Sequence, residues 1–412
     1  MAMVKSVINV GVGHSDNPKE AVKQAMENIK NPVLTIVFFS SNHNPQEVYN
    51  TIKEEVGNSH IIGGTTAGEF SSLKDKPTEN EVVVMVIESP YLKVGVGVCE
   101  NISNNPYECG MNAISNSYSS LKDNPTASAL ISVAFMNKKS EDILKMKPFV
   151  SLVLPDGLAG NEEDFLKGII SKVGTGVPVV GGSTGDNLKF DKTYQIANGV
   201  YTNSGIVATL SSALKIGLGY CHPYYPTEKG AVVTKSEGRT VYELNNRPAA
   251  EVLKELLGVD ELTPEIFAKY PMGVKSTDVY GEYVIKSIMC ENEDGSLTFY
   301  AQVLEGSYLS VMDTNKEYAI ESFKKAIKNA LQSAGNPKKV GAVIVFNCIL
   351  RHLLKDRLGI NDLNIIKEVV GEDVPVIGFN TYGEQGATTG GSIGHYNQTA
   401  TILIIGNETI SQ

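Results

Sequence analysis

The sequence of 412 residues has no tryptophan. It also has no apolar run near the roughly 18 residues that a membrane-spanning helix requires. The longest apolar runs, 82–87, 341–346 and 401–405, have the length of strands. The N-terminal residues lack the apolar core and cleavage site of a signal peptide, so we expect a cytoplasmic protein with no membrane partner. Basic residues are also few, 36 against 46 acidic ones, and the net charge of −10 argues against nucleic acid as a partner.

Motifs for metals and nucleotides are missing as well. The five cysteines show no CxxC spacing and the six histidines no HxH or HExxH spacing, which predicts neither a metal site nor a disulfide framework. A phosphate-binding GxxxxGKS/T loop is absent, as is a GxGxxG loop between a strand and a helix. With 42% hydrophobic and 20% charged residues, the composition is that of a folded protein. Its length suggests two or three domains.

The most informative feature that is present is an internal repeat. The segments IGGTTAGE (62–69), VGGSTGD (180–186) and IGFNTYGE (377–384) share one pattern. An apolar residue and a glycine are followed by a polar pair, a second glycine and a carboxylate. Three copies in similar surroundings indicate a shared structural unit.

The residues before each copy repeat too. A short apolar run is followed by apolar residues at helical spacing, and a glycine then ends the predicted helix. This pattern predicts a βαβ unit with two parallel strands. The motif then lies at the carboxyl end of the second strand, where ligands bind in open α/β sheets. We therefore predict that Gly68, Gly185 and Gly383 each lie just beyond the end of a parallel strand.

The residues after the first two copies also match. LKVGVGVC (92–99) corresponds to LKIGLGYC (214–221), and each follows another apolar strand across a short link. Two strands joined in this way predict an antiparallel hairpin. The predicted fold class is therefore α/β, with mixed sheets built from three related βαβ-plus-hairpin units.

This repeat predicts the domain organisation. An N-terminal module over 1–222 is interpreted as a duplication of about 1–120 and 121–222, and a C-terminal, ligand-binding module follows over 223–412. The C-terminal module gains a helix over 315–334, for which we predict Asp313 or Thr314 as the N-cap.

Several segments, in order along nearly the whole chain, resemble the FIST domain family. GGTTAGEF and GGSTGDN resemble motifs of its N-terminal module (FIST N), and 232–258 resembles the start of its C-terminal module (FIST C). VIVFNCILR (343–351) is similar to the family's Phe-x-Cys-x-x-Arg motif, and PVIGFNTYGEQG (375–386) to its Gly-Phe-x-Thr-x-Gly-Glu motif. HYNQTATILII (395–405) is similar to the closing His-Asn-Gln-Thr strand, with Tyr396 inserted after the histidine.

The resemblance implies a sensory protein of signal transduction that binds a small molecule, with amino acids as proposed ligands. It also implies a separate signalling partner, such as a histidine kinase or a chemoreceptor. Some members of the family are haem-based nitric-oxide sensors, so haem is the alternative to a protein without a cofactor. Enzymatic activity is not expected from the resemblance.

The residues themselves suggest a first ligand site in the C-terminal module. The guanidinium of Arg351 suits a ligand carboxylate, and Glu384, at a neighbouring strand end, suits an ammonium group. Together they predict a clamp for an amino-acid-like zwitterion. The candidate ligand-binding residues are Cys348, Arg351, Asn380, Thr381, Tyr382, Gly383 and Glu384.

The two N-terminal copies suggest a second site. Backbone N–H groups and hydroxyls of the motif form an anion nest in this interpretation, with the carboxylates holding a cation. The alternative is that the motifs are ordinary turns at strand ends. The candidate residues of the second site are Thr65, Thr66, Gly68, Glu69, Ser183, Thr184 and Asp186.

Two alternatives stay open. Cys348 and His352, four residues apart at a predicted helix N-terminus, form a conceivable nucleophile pair, against the alternative of a buried, inert thiol. His222 or His352 is a candidate axial ligand for haem. The tyrosines Tyr220, Tyr224, Tyr225 and Tyr382 either line a pocket or serve as ordinary packing residues.

Overall fold

The computed structural model describes residues 6–137, 145–276 and 281–411. Its helices begin mostly after an Asn or Thr cap and end mostly at a glycine, as their sequences favour. The helices are α1 (Pro18–Met26), α2 (Pro45–Val56), α3 (Pro106–Ser120), α4 (Pro125–Asn137), α5 (Glu162–Val173), α6 (Ala249–Leu257), α7 (Pro264–Lys269), α8 (Lys316–Ser333), α9 (Ile349–Leu358) and α10 (Asp362–Val370).

The strands are mostly short and rich in Val, Ile, Thr and aromatic residues, which pack well on a pleated sheet. They are β1 (Asn9–Ser15), β2 (Leu34–Ser40), β3 (His60–Thr66), β4 (Glu69–Ser71), β5 (Val82–Glu88), β6 (Leu92–Glu100), β7 (Phe149–Pro155), β8 (Val179–Gly182), β9 (Gln195–Ala197), β10 (Val200–Tyr201), β11 (Ser204–Ser212), β12 (Leu214–Cys221), β13 (Tyr225–Glu237), β14 (Thr240–Leu244), β15 (Arg247–Pro248), β16 (Met272–Lys275), β17 (Tyr283–Lys286), β18 (Ile288–Glu291), β19 (Leu297–Phe299), β20 (Tyr308–Asp313), β21 (Val340–Cys348), β22 (Val376–Thr381), β23 (Glu384–Ala387), β24 (Ile393–Tyr396) and β25 (Ala400–Thr409).

Three mixed sheets have the same strand pattern, which confirms the α/β class. Sheet 1 has the order β1-β5-β2-β3-β9-β10, sheet 2 the order β6-β11-β7-β8-β23-β24, and sheet 3 the order β12-β25-β21-β22-β4. In each sheet one pair is parallel, namely β2/β3, β7/β8 and β21/β22, and the other pairs are antiparallel. These parallel pairs are the three predicted βαβ units.

The predicted hairpins are wrong. β5 pairs with β1 and β2 in sheet 1, whereas β6 pairs with β11 in sheet 2. In the same way β11 pairs with β6 and β7, while β12 pairs with β25. The short links at 89–91 and 213 therefore carry the chain from one sheet to the next. Divided by sheets, the chain forms unit 1 (9–88), unit 2 (92–212) and unit 3 (214–409).

The units exchange strands. The strand that follows each repeated motif leaves its own unit and adds to the parallel pair of another. β4 of unit 1 pairs with β22 of sheet 3, β9 of unit 2 with β3 of sheet 1, and β23 of unit 3 with β8 of sheet 2. The exchange is cyclic, so each of the three sheets contains a strand from another unit.

The three sheets face a common apolar core. Phe38 of β2, Phe346 of β21 and Phe379 of β22 are fully buried there and contact one another, with ring centroids 4.4 to 6.2 Å apart. A further antiparallel sheet, β17-β16-β20-β13-β14-β19-β18 with β15, is inserted into unit 3 between β12 and α8. This inserted sheet has its own core, against which α6 and α7 pack.

Helix α8 corresponds to the predicted helix over 315–334, but its cap differs from the prediction. The side chain of Asn315 accepts the N–H of Tyr318 at 2.8 Å and is the N-cap. Asp313 is the last residue of β20, and the hydroxyl of Thr314 donates to the carbonyl of Pro223. Both are therefore engaged before the helix begins.

The first strand of each unit carries two glycines separated by one residue. The helix that packs on this strand, α1, α3 or α8, requires them. A Cβ at Gly11, Gly95 or Gly217 would lie 1.8, 2.1 or 1.8 Å from a backbone oxygen of α1, α3 or α8. Side chains there would push the helix off its sheet, since backbone atoms cannot move aside as a side chain can.

We expect Gly217→Ala to lower the free energy of unfolding by about 1 to 3 kcal/mol, the usual cost of overpacking. Gly176→Ala is the matched control, because no atom lies within 4 Å of the added Cβ. Urea denaturation of both variants measures the difference. Equal stability of the two variants would contradict the close helix packing.

Candidate functional site

The repeated motifs follow the parallel strands as predicted. β3 ends at Thr66, β8 at Gly182 and β22 at Thr381. Gly68, Gly185 and Gly383 therefore each lie two or three residues beyond a strand end, which confirms the prediction for all three. The three motif segments meet at the centre of the molecule.

These segments bind one another through backbone hydrogen bonds, and we call the arrangement the motif ring. Thr65, Ser183 and Asn380 occupy matching positions, and each uses both its N–H and its carbonyl. The bonds are Ala67 N to Asn380 O (2.9 Å), Asn380 N to Gly68 O (2.8 Å), Tyr382 N to Ser183 O (3.1 Å), Ser183 N to Gly383 O (2.7 Å), Gly185 N to Thr65 O (3.0 Å) and Thr65 N to Tyr194 O (3.0 Å). The structure contradicts the predicted anion nest, because these N–H groups already have partners inside the protein.

The geometry that repeats around the ring includes one side chain from each unit. Glu69, Gln195 and Glu384 occupy equivalent positions at the starts of the exchanged strands β4, β9 and β23. Each bonds to the threonine of its own motif: Glu69 to Thr66, Gln195 to Thr184 and Glu384 to Thr381. These residues hold the ring together, and the predicted role of the two glutamates as ligands for a cation is not supported by their contacts.

Asp186 is not the counterpart of these residues, contrary to the sequence match. Gln195 follows Thr184 by 11 residues, whereas each glutamate follows its threonine by three. An inserted loop, 186–193, accounts for the difference. Asp186 organises this loop: its carboxylate accepts the N–H groups of Phe190, Asp191 and Lys192 at 2.7 to 3.1 Å.

Burial raises the pKa of both Glu69 and Glu384 to about 8, although hydrogen bonds from threonines oppose this shift. Both side chains are fully buried. They are therefore neutral acids at pH 7, and the third position holds the neutral amide Gln195. The Oε1 atom of Gln195 accepts from Ser204, just as Oε2 of Glu384 accepts from Thr399 at 2.6 Å. An amide thus satisfies the same contacts as the protonated acid.

Arg351 does not form the predicted clamp with Glu384. Its guanidinium is buried and donates to Asp362 Oδ2 and Asn347 Oδ1, both at 2.6 Å. Lys355 donates to the same Asp362 oxygen at 2.6 Å. Burial raises the pKa of Asp362, but the two cations outweigh it and hold that pKa at about 2. Arg351 is therefore paired with Asp362 and Asn347 inside the protein, and of its guanidinium nitrogens Nε has no partner among the described residues.

The predicted pair of Cys348 and His352 is not formed. Cys348 caps α9 and lines one cavity, whereas His352 lines another, of about 460 Å³, beside Lys355. Burial, and next the nearby Glu384, raise the pKa of the Cys348 thiol well above its usual range. The thiol is therefore protonated at pH 7, in contrast to the low-pKa nucleophile that the helix position suggested.

A cavity of about 440 Å³ lies between the motif ring and the inserted sheet, and we call it the loop cavity. Of the predicted ligand-binding residues, Cys348 and Tyr382 line it. Asn380, Thr381, Gly383 and Glu384 lie behind its wall in the ring, and Arg351 does not line it either. The lining is mainly apolar, with Leu158, Leu188, Phe190, Met289 and Tyr300 among its residues.

Four polar side chains also line the loop cavity: Glu162, Arg239, His395 and Asn397. Nη2 of Arg239 donates to Glu162 at 2.8 Å and to Glu163 at 2.7 Å. Two buried atoms of these four side chains have no hydrogen-bond partner, the donor Nε of Arg239 and the acceptor Oδ1 of Asn397; seven other buried side-chain atoms among the described residues share this property, Nε of Arg351 among them. Buried polar atoms without a partner are rare in folded proteins, so this donor and acceptor suit a bound molecule.

Sequence reasoning missed these polar residues as ligands. Arg239 lies in 232–258, and His395 and Asn397 lie in the closing strand, both of which resemble family motifs. The resemblance of these two segments to family motifs was the signal in the sequence that could have identified the polar residues. It did not indicate the site because Arg239 and Asn397 are 158 positions apart in sequence and meet only through the inserted sheet.

A third cavity, of about 520 Å³, lies at the junction before the inserted sheet and is lined by Tyr220, His222 and Tyr224. Burial lowers the pKa of His222 to about 4, so its imidazole is neutral, as an axial metal ligand must be. Of the other two candidate tyrosines, Tyr225 packs edge-on against Tyr318 and Tyr382 lines the loop cavity.

Two features are absent from residues 6–137, 145–276 and 281–411. No helix in them is long and apolar enough to cross a membrane. In the same ranges no group of three or more His, Cys, Asp or Glu side chains is arranged to hold a metal ion.

The raised pKa of Glu384 predicts a pH-dependent stability. The unfolded carboxyl ionises above its usual value near 4.5, and the folded one only near 8. The stabilisation of the folded state by protonated Glu384 is thus complete below pH 4.5 and is lost as the pH rises toward 8. At pH 8 we expect Glu384→Gln to be more stable than the wild type by a few kcal/mol, because raising the pKa from 4.5 to about 8 costs up to about 5 kcal/mol at about 1.4 kcal/mol per pKa unit.

The reverse change, Gln195→Glu, is the matched control and should lose stability at pH 8 but not at pH 5. Thermal unfolding of both variants and the wild type at the two pH values tests this expectation. If the melting temperatures of all three proteins change equally between the two pH values, these positions do not titrate as described.

We expect Asp362→Asn to destabilise the protein by about 3 to 5 kcal/mol, because it leaves two buried cations without their counter-ion. Asp356→Asn, at a carboxylate whose side chain is 65% exposed, is the control and should change stability by less than about 1 kcal/mol. Urea titration of the two variants compares them directly. A small effect at Asp362 would reopen the possibility that Arg351 serves a ligand.

Comparison with known proteins agrees with this architecture. The FIST N domain matches residues 33–247 and the FIST C domain matches residues 249–387. An uncharacterized protein of Methanocaldococcus jannaschii is 27% identical over 329 residues, which are 76% of this chain; the chain spans 59% of that relative's length. The crystal structure of cyanuric acid hydrolase from A. caulinodans aligns over 96% of this chain and 99% of that one, with a TM-score of 0.35 and 9% identity, too distant a likeness to support an inference. On the two domain matches, the chain belongs to the FIST family, whose domains are sensory domains of signal transduction.

Proposed function

We propose that this protein senses an amino-acid-like metabolite that binds in the loop cavity. The observation that carries the proposal is a pair of unpartnered buried atoms, Arg239 Nε and Asn397 Oδ1, on two residues that line the cavity. A carboxylate accepts from the first and an ammonium group donates to the second. A zwitterion supplies both groups on one small molecule.

The charges around the cavity favour a zwitterion over a simple anion. Glu162 and Glu163 bond to Arg239, and Lys286 is close enough to interact electrostatically with Glu163. Burial raises the pKa of Glu163, but His395 and Arg239 outweigh it and lower that pKa to about 2, so Glu163 is ionised. Glu162 and Arg239, which both line the cavity, already pair with each other, so a ligand with no net charge adds no unbalanced charge beside them.

The size and lining of the cavity suit a small metabolite. Ligand sites in proteins usually have volumes of roughly 300 to 1,000 Å³ and mainly apolar walls with a few polar groups. At about 440 Å³ the loop cavity lies within this range. Its walls come from two parts of the fold, the motif ring and the inserted sheet.

This position suggests how binding is signalled. A ligand that contacts both walls stabilises the arrangement in which they lie close together, and so shifts the population toward that state. A separate partner, such as a histidine kinase or a chemoreceptor, then recognises the shifted state. A cytoplasmic location and the absence of enzymatic activity are part of this proposal.

Haem binding is the alternative, with His222 or His352 as the axial ligand, since each of them lines a cavity. A bound haem would supply gas binding at its iron. A Soret absorption band in the purified protein would favour this alternative.

We expect one or more amino acids to raise the melting temperature of the wild type, since a ligand at 100 times its Kd adds about 2.7 kcal/mol of stability. Asn397→Ala should weaken the binding of such a ligand by about 10- to 100-fold, the value of a charge-assisted hydrogen bond. Because Oδ1 of Asn397 bonds to no described residue, removing it should not itself unfold the protein.

Arg239→Lys is the second variant, because lysine keeps a cation beside Glu162 and Glu163 but lacks the Nε donor. The same change at the exposed Arg247, which pairs with Glu255, is its control. Calorimetric titration of the four proteins compares their affinities. Unchanged affinity in both cavity variants would reject the site, and the absence of any amino-acid shift in the wild type would reject the ligand class.

A further inference from the structure

The inserted loop 186–193 breaks the threefold pattern of the motif ring. In units 1 and 3 the exchanged strand begins three residues after the motif threonine. In unit 2 the loop intervenes, and Leu188 and Phe190 from this loop line the loop cavity. The fold of the ring does not need the loop, because two of the three units form their contacts without one.

The loop has an unfavourable backbone conformation. Asn187, Leu188 and Phe190 have φ values of 57°, 61° and 53°. This left-handed region is uncommon for residues other than glycine and asparagine, and it costs free energy at leucine and phenylalanine. Strained conformations of this kind persist where surrounding contacts enforce them, and they cluster at functional sites.

Two side chains enforce the conformation. The carboxylate of Asp186 accepts three N–H groups of the loop and also the hydroxyl of Tyr382, at 2.5 Å. The Tyr382 hydroxyl in turn accepts the N–H of Leu188 at 2.7 Å. The ring of Phe190 stacks on Tyr382, with centroids 5.4 Å apart and planes inclined by 23°.

The result is an apolar rim on the cavity. The exposed fractions of Leu188 and Phe190 are 41% and 60%, and that of Met289, which lines the cavity from the inserted sheet, is 42%. Exposed apolar side chains that gather at one cavity usually mark a binding surface. One face of the Phe190 ring is covered by Tyr382, and a strained loop holds the ring in place.

We infer that Phe190 determines specificity by contacting an aromatic group on the ligand, so that the metabolite is an aromatic amino acid or a close analogue. This inference rests on the proposed function and adds the class of side chain. A planar ring extends the Phe190–Tyr382 stack, and Met289 supplies a thioether, which makes favourable contacts with aromatic edges. The polar groups of the same ligand reach Arg239 and Asn397.

The test compares two probes, L-phenylalanine and L-leucine, by calorimetric titration of the wild type, Phe190→Leu and Phe135→Leu. Phe135, on α4, is 56% exposed and does not line the loop cavity, so it is the matched control. We expect the wild type and the control to prefer L-phenylalanine. Phe190→Leu should reduce that preference by about three- to tenfold, the range for one aromatic pair.

A fluorescence measurement supplies a second readout. Since the chain contains no tryptophan, Phe190→Trp creates a protein with a single indole, located at the rim. L-phenylalanine should shift its emission to shorter wavelength as the ring is covered, and L-leucine should do so less.

The outcomes separate the two proposals. If both amino acids bind the wild type equally, or if Phe190→Leu keeps the preference of the wild type, the inference about the aromatic group is wrong and the ligand site stands. If neither amino acid binds and none of the other amino acids does, both proposals are rejected. Binding of L-phenylalanine without any change in the emission of Phe190→Trp would place the aromatic group away from the rim.

Discussion

The backbone hydrogen bonds of the motif ring are the constraint on which the rest of the structure depends. Through them, Thr65, Ser183 and Asn380 fix three strand ends against one another. The exchanged strands start at these points and complete the sheets of other units. The ring therefore sets the positions of all three sheets and of the wall that carries Tyr382. Its buried side chains are neutral, which is how the centre of an α/β protein accommodates Glu69 and Glu384 without an ionised partner.

Much of the fold could be predicted from the sequence because its signals are local. The parallel pairs followed from apolar runs, helical spacing and glycines within about 30 residues, and the positions of Gly68, Gly185 and Gly383 followed from them. The hairpins could not be predicted correctly, because a link of one to three residues joins neighbouring strands or separate sheets equally well. The counterpart of Glu69 in unit 2, Gln195, could not be identified either, because the inserted loop moves it away from the position that aligns with Glu69.

The candidate site was harder to predict because its residues are distant in sequence. Arg351 looked free, but Asp362 follows it by 11 residues and neutralises it at the start of the next helix. Arg239, by contrast, stands in a turn with no chemical motif around it, and only the inserted sheet brings it to the loop cavity. Of the residues predicted to bind the ligand, Tyr382 and Cys348 line the loop cavity, because residues at or just beyond strand ends gather at one edge of a sheet.

The cyclic exchange of strands also affects how the chain folds during its synthesis. β4 is complete once residue 71 has been made, yet its partner strand β22 begins at residue 376, and Ser72 and Val376 bond across 304 positions. The first unit therefore leaves the ribosome with an exposed strand end that nothing yet covers. Contacts so distant in sequence are slow to form and expose the growing chain to aggregation. A single cooperative folding event late in synthesis is the consequence, and no unit alone can complete its own sheet.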